Sequence, residues 1–219
     1  MSKTELVKRY IVLTVGLFFT ALGIAISKYG ELGVSAISSL PSVVSCKFDF
    51  ISFGVWSMIW NLIMVALQIL ILRKNFHPIQ FLQIPLSFVF GYFIDIGTWI
   101  ISPIPVDNYA TQIALVIIGM FVLGIGISLT FIADVVMNPG EGVVKAVADE
   151  YHMNLGNAKT LVDILCITVS LVLSLVFFDM KLVGIREGTL IAALFTGTTV
   201  KLYSKLLQNP LGKFFKKEI

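Results

Sequence analysis

The chain has 219 residues, of which 57% are hydrophobic and 13% charged, and its mean hydropathy is +0.94. Soluble domains average about 45–50% apolar and about 25% charged residues, so this composition excludes a soluble globular protein and predicts an integral membrane one. The net charge of +3 comes from basic residues gathered at the ends and in one loop, a pattern of topology with no nucleic-acid footprint.

Six apolar segments approach the roughly 20 residues that a membrane span needs: 8–28, 52–72, 79–101, 112–133, 159–178 and 187–207. No small-residue cleavage site follows the first, so it reads as a retained span rather than a signal peptide. Lys3, Lys8 and Arg9 precede span one, and Arg73, Lys74 and His77 follow span two. Lys205, Lys213, Lys216 and Lys217 lie in the tail, whereas the loop after span three, SPIPVDNYAT, has no basic residue. An even number of spans with both termini cytoplasmic fits the positive-inside rule. That orientation puts Lys181 and Arg186 outside, beside Asp179 and Glu187.

Two connections are too apolar for plain loops. Residues 32–47 (LGVSAISSLPSVVSCK) and 141–150 (EGVVKAVADE) predict short helices, each between the first and second span of its half. Neither is long enough to cross, so each is re-entrant, packed in protein, or an amphipathic interfacial helix. Cys46 and Cys166 lie in or beside apolar segments without metal-ligand spacing, and no disulfide framework is implied.

The halves resemble each other. VGLFFTALGIAIS (15–27) lies over IGMFVLGIGISLT (118–130) at a shift of 103 residues. Gly16 then falls on Gly119, Gly23 on Gly126 and Glu31 on Asp134. At 102, Gly54 falls on Gly156 and Asn61 on Asp163; at 106, Gly91 falls on Gly197 and Asp95 on Lys201. Polar and small residues recur at helical spacing in one stripe per span. The stripes include Gly16, Thr20, Gly23, Ser27 and Glu31 in span one, and Ser57, Asn61 and Gln68 in span two. Span three has Ser87, Gly91, Asp95 and Thr98; span five has Lys159, Asp163, Cys166, Ser170 and Ser174. Such stripes are helix–helix seams or cavity walls. Three spans per half make the second half enter from the opposite side. The expected fold is all-α, a single membrane domain over 1–219, built from two inverted three-helix repeats over 8–101 and 112–207. In that arrangement a site sits near the midplane, where the short segments meet.

The chemistry concentrates in NPGEGVVKAVADEYHMNLGNAKTLVD, residues 138–163. Pro139 and Gly140 break span four, since Pro suits the first turn of a new helix and Gly permits close approach. Glu141 then lies in that first turn, where it either complements the helix dipole or reaches a cavity. Asp95 and Asp163 are the most interior acids. A charge at the bilayer centre costs roughly 2.5–3.5 kcal/mol on insertion scales, so it implies a partner or a function. Lys159 precedes Asp163 by one helical turn and can pair with it; Asp95 stands about one turn from the end of span three. Asp149 and Glu150 look solvent-facing, and His152 interfacial. Metalloprotease, phosphate-loop and Cys-x-x-Cys motifs do not occur, and no nucleophile has a credible base, so neither an enzyme nor a metal or cofactor is expected.

The elements GIREGT (184–189), NPGEG, NLGNAKTLVDI and FLQIPLSFVFGYFID together resemble the YczE/YyaS/YitT-like bacterial membrane proteins over nearly the whole chain. At the turn Asn138, Pro139, Glu141 and Gly142 match, with Gly140 in the variable position. The Gly-x-x-Lys-x-x-x-Asp pattern maps onto Gly156, Lys159 and Asp163. The resemblance marks Arg186 and Glu187, and implies a small multi-span protein of the bacterial cytoplasmic (inner) membrane for which transport is often supposed. Arg186 and Glu187 can pair with each other or with Asp179 and Lys181, capping span six.

The leading expectation is a small secondary transporter or facilitator for a small-molecule or ion substrate that is cationic, zwitterionic or polar. Glu141, Asp163 and Asp95 would bind the solute or a coupling proton, with Lys159 and Asn61 orienting it. Asn138, Ser57 and Gln68 are further candidate contacts, and Pro139, Gly140, Gly142 and Gly156 candidate gating positions. Membrane lipids are expected partners, as is a second copy in a homodimer. The alternatives are an embedded binding subunit that docks an energising partner through Ala21-x-x-x-Ala25, and a non-transporting scaffold factor.

Overall fold

The computed structural model describes residues 3–216, and these form helices without any strand. In chain order they are α1 (Lys3–Tyr29), α2 (Ala36–Lys47), α3 (Phe53–Leu72), α4 (Gln83–Ile101), α5 (Tyr109–Ala133), α6 (Pro139–Glu150), α7 (Leu155–Phe177) and α8 (Glu187–Lys216). Two 3-10 turns, Arg73–Asn75 and Pro78–Leu82, join α3 to α4. Six of these helices are long and apolar enough to cross a membrane; the chain is a multi-pass membrane protein. α2 and α6 are the two short helices, with 12 residues each, too few to span.

Local sequence sets the boundaries. Ser52, Asn108 and Asn154 cap α3, α5 and α7, their side-chain oxygens accepting from the backbone N–H of Val55, Thr111 and Asn157 at 3.1, 2.8 and 2.9 Å. Each cap satisfies an N–H that the helix cannot. Pro139 opens α6, where its missing N–H costs nothing. Glu31 and Asp134, the residues overlaid at a shift of 103, both take left-handed backbone just past α1 and α5, at φ 59° and 49°.

The central seam is α1 against α5, closely apposed because glycines line both sides. A Cβ on Gly16 would meet Thr130 and the carbonyl of Gly126, and one on Gly126 would meet Thr20 and the carbonyl of Gly16. The same holds between Gly23 and Gly119. As residue numbers rise along α1 they fall along α5, so the helices are antiparallel. The contacts are also reciprocal: Gly16 touches Thr130 and Ser27 touches Gly119, which are the same two positions exchanged between halves.

The remaining packing follows the same exchange. α4 packs on α1 as α8 packs on α5, α2 on α7 as α6 on α3, and α2 on α3 as α6 on α7. Ser39 Oγ and Ser170 Oγ share a 2.7 Å hydrogen bond between α2 and α7. At the exchanged positions Gln68 lies over Gly142. The first turns of α2 and α6 touch each other, since a Cβ on Gly140 would lie 2.8 Å from Ile37. One seam breaks the pattern: α3 packs on α4, whereas α7 has no comparable packing on α8 among the described residues.

The GIREGT element has a structural place. Gly188 N–H donates to the carbonyl of Leu32 at 2.8 Å, and Gly33, at φ 108°, leaves room for Thr189. The start of α8 is thereby docked on the turn between α1 and α2. Arg186 pairs with the adjacent Glu187 at 3.1 Å on the exposed surface. Ala21 and Ala25 are 0% and 1% exposed, and Gly97 of α4 lies against Ala25. The seam expected to dock an energising partner is filled by the chain itself, because small residues there admit α4.

Candidate functional site

A cavity of about 460 Å³ opens where the first turns of α2 and α6 meet, a volume within the usual range for small-molecule sites. Its wall on the α1–α5 side is largely apolar, with Ile24, Leu123 and Ile127 joined by Thr20. α3 adds Ser57, Trp60 and Asn61; α7 adds Gly156, Lys159, Thr160 and Asp163; α8 adds Thr196, Gly197 and Lys201. The cavity therefore extends into the gap between α7 and α8.

Helix geometry brings the α7 side chains and Glu141 together. Lys159 and Asp163 are one turn apart on one face, and their side chains meet at 2.9 Å. Because Pro139 starts α6 at the cavity, Glu141 projects from its first turn and reaches Lys159 at 3.3 Å. Two carboxylates against one ammonium leave this triad one negative charge in excess. The side chains of Glu141 and Asp163 keep only 19% and 15% of their exposure, so that excess charge is poorly solvated and invites a cationic partner.

The cavity also has neutral polar lining. Ser57 and Asn61 are each 6% exposed, yet among the described residues Ser57 Oγ and Asn61 Nδ2 have no hydrogen-bond partner. Asn138 Oδ1, just before α6, is also buried without a partner. Buried polar atoms normally find partners, and each exception requires an explanation. All three residues line the cavity, which is where a bound molecule would complete them.

Six of the residues singled out from the sequence thus share one cavity: Ser57, Asn61, Asn138, Glu141, Lys159 and Asp163. Gly140 and Gly156 also line it. Asp95 and Gln68 do not. Asp95 sits in the α3–α4 seam, accepting from Ser52 Oγ at 2.7 Å and from Gly54 N–H at 3.0 Å. It holds the start of α3. Gln68 exchanges amide hydrogen bonds with Gln83 at 2.8 and 3.1 Å and donates to the carbonyl of Pro139 at 3.0 Å. It fastens α3 to α4 and α6, and Gly142 makes room for it. Arg186 and Glu187 lie outside the cavity lining.

Sequence reasoning missed Ser35 and Ser38 at the start of α2, and Thr160 and Thr196 in the α7–α8 gap. Ser38 had a signal: at a shift of 103 it is the counterpart of Glu141.

A model of the "Family of unknown function (DUF6198)" matches residues 7–205. The chain belongs to that family. The match takes in α3, α4, α5 and α7 whole, most of α1 and α8, and every residue of the cavity. No curated protein and no solved structure matches the chain.

Proposed function

We propose that this DUF6198 protein is a small secondary transporter or facilitator, of the YczE/YyaS/YitT-like kind, that moves a small cationic, zwitterionic or polar solute by alternating access. In this reading the two halves are inverted repeats and α2 and α6 are re-entrant helices that meet at the midplane. The protein lies in a bacterial cytoplasmic membrane with both termini on the cytoplasmic side.

The observation that carries the proposal is the inequality of two seams that the repeat makes equivalent. On one side Gly54 and Gly91 are buried against each other. On the other, their counterparts Gly156 and Gly197 are exposed; among the described residues nothing lies within 4 Å of a Cβ on Gly197, and only Asn154 Oδ1 near one on Gly156. One seam is shut, the other is open, and the cavity extends into the open one. The reciprocal contacts of α1 with α5 are those of an isologous twofold interface, and such symmetry supports a second state in which the two seams trade places. A fixed scaffold has no use for an unfilled seam.

The test is a cross-link. Cys46 and Cys166 are replaced by serine and alanine, and Gly156→Cys and Gly197→Cys are introduced together. Alternation expects a 156–197 disulfide to form in proteoliposomes under mild oxidation, trapping the seam shut. If the pair never links, whatever the oxidant or lipid, the α7–α8 gap is permanent and the transporter reading fails.

A further inference from the structure

Both halves of the chain line the cavity, and the residues they contribute at counterpart positions differ in chemistry. The repeat places Ser38 over Glu141 at a shift of 103, and Ser57 over Lys159 and Asn61 over Asp163 at 102. All six residues line the cavity. Every pair sets a neutral side chain in the first half against a charged one in the second.

The second half presents acceptors around the triad, with the further cation Lys201 standing apart from it on α8. Glu141 and Asp163 carry one negative charge more than Lys159 neutralises, and the unpartnered Asn138 Oδ1 adds a further lone pair. That is a pole for an ammonium group. The first half presents donors. α2 has no acid in its first turn, and its cap residue Ser35 makes no capping hydrogen bond; Ser35 Oγ instead meets Ser38 Oγ at 3.1 Å. The N–H of Ser38 is taken by the carbonyl of Ser35 at 3.0 Å, but no side chain caps α2 and no acid offsets the positive end of the helix, as at an anion site. Two residues of α3, each 94% buried, line the same cavity: Ser57 and Asn61, whose Oγ and Nδ2 have no partner among the described residues. Trp60, between them in sequence, donates to the carbonyl of Ile37 at 2.9 Å, so this part of α3 is fixed against the first turn of α2.

We infer that the site takes a small zwitterion in one orientation, its ammonium at Glu141, Asp163 and Asn138 and its carboxylate at the start of α2 with Ser57 and Asn61. This rests on the transporter reading and narrows its substrate. The apolar wall of Ile24, Leu123 and Ile127 then faces whatever carbon skeleton joins the two charges.

The experiment uses the purified full-length protein and reads ligand-induced thermal stabilisation over a titration. One arm is a set of small zwitterions: the L-α-amino acids, β-alanine, γ-aminobutyrate and trimethylglycine. The second arm is the methyl esters of the same acids, which keep the positive charge and lose the carboxylate; the third is the N-acetyl forms of the amines, which do the reverse. At least one zwitterion should bind roughly tenfold or more tightly than its ester and its N-acetyl form, the scale of one lost hydrogen bond to a charged group. Ser57→Ala with Asn61→Ala should weaken that zwitterion severalfold more than its ester, and a cooperative melt of the unliganded variant shows that it is folded. An ester that matches its parent acid overturns the inference, as does the absence of binding by every zwitterion. A protein that forms the 156–197 cross-link but takes only esters keeps alternation and loses the zwitterion.

Discussion

Replacing Lys159 with methionine tests whether the triad is one electrostatic unit. The ammonium stands 2.9 Å from Asp163 and 3.3 Å from Glu141. With an effective dielectric near 20, each pair attracts by about 5 kcal/mol before desolvation is counted. Removing one member of a fully buried pair costs about 3–5 kcal/mol, mostly because the abandoned charge stays buried. Here the three side chains keep 37, 19 and 15% of their exposure, so screening reduces the expected loss to about 2 kcal/mol. That corresponds to a rise of roughly thirtyfold in the unfolded fraction, read as a lower melting temperature by tryptophan fluorescence in detergent. The variant Lys159→Met, Glu141→Gln, Asp163→Asn abandons no charge and should recover most of the loss while binding no ligand. The reasoning is refuted if Lys159→Met melts with the unaltered protein, or if the triple variant is no more stable than the single one.

Two further substitutions probe the frame around the site. Gly23→Ala and Gly126→Ala occupy exchanged positions, where a Cβ would lie 2.6 and 2.7 Å from the carbonyls of Gly119 and Gly16. Each should destabilise by about 1–3 kcal/mol through overpacking, and the two melting temperatures should fall by similar amounts; a large disparity would contradict the reciprocity of the seam. Gln68→Leu leaves Gln83 and the carbonyl of Pro139 without their donors, a loss of about 1–3 kcal/mol for each buried group left unpaired. Its melting point should drop while ligand affinity, measured well below the transition, stays unchanged.

The spans and short helices were legible because hydropathy and length decide them, and the observed helices fall within a few residues of the expected segments. The exceptions are the ends of α1 and α8. α1 begins at Lys3, where Arg9 pairs with Glu5 at 3.0 Å and donates to the carbonyl of Ala133 at 2.9 Å. α8 continues to Lys216, as Phe215 packs in the core beneath Arg9. Polar stripes were legible too, but a stripe does not say whether it faces a helix or a void. Ser57 and Asn61 face the void, while Gln68, two turns on, meets Gln83. Asp95 looked like a solute ligand because an acid inside a span is costly. The start of α3 lies beside it, however, and supplies a hydroxyl and an N–H that satisfy it. Tertiary packing made that choice, and no local pattern encodes it.

The counterpart of Asp95 gives a reason why one seam is shut and its equivalent open. Across the shut seam, Asp95 of α4 accepts from Gly54 N–H and Ser52 Oγ of α3. Under the proposed repeat, Lys201 of α8 takes that place with Gly156 and Asn154 opposite it. An ammonium has no lone pair to offer the N–H of residue 156, so closure of α8 on α7 lacks the hydrogen bonds that hold α4 on α3. Lys201→Asp supplies the missing acceptor. Hydrogen bonds to a charged group contribute about 1.5–3 kcal/mol, and 1.4 kcal/mol is tenfold in an equilibrium. In the background carrying Gly156→Cys and Gly197→Cys, the ratio of shut to open molecules should therefore rise on the order of tenfold, measured as initial cross-linking rate. Lys201→Ala removes the charge without adding an acceptor and should give a much smaller rise. Equal rates for the two variants would mean that charge alone keeps the seam apart, and the capping argument would fall.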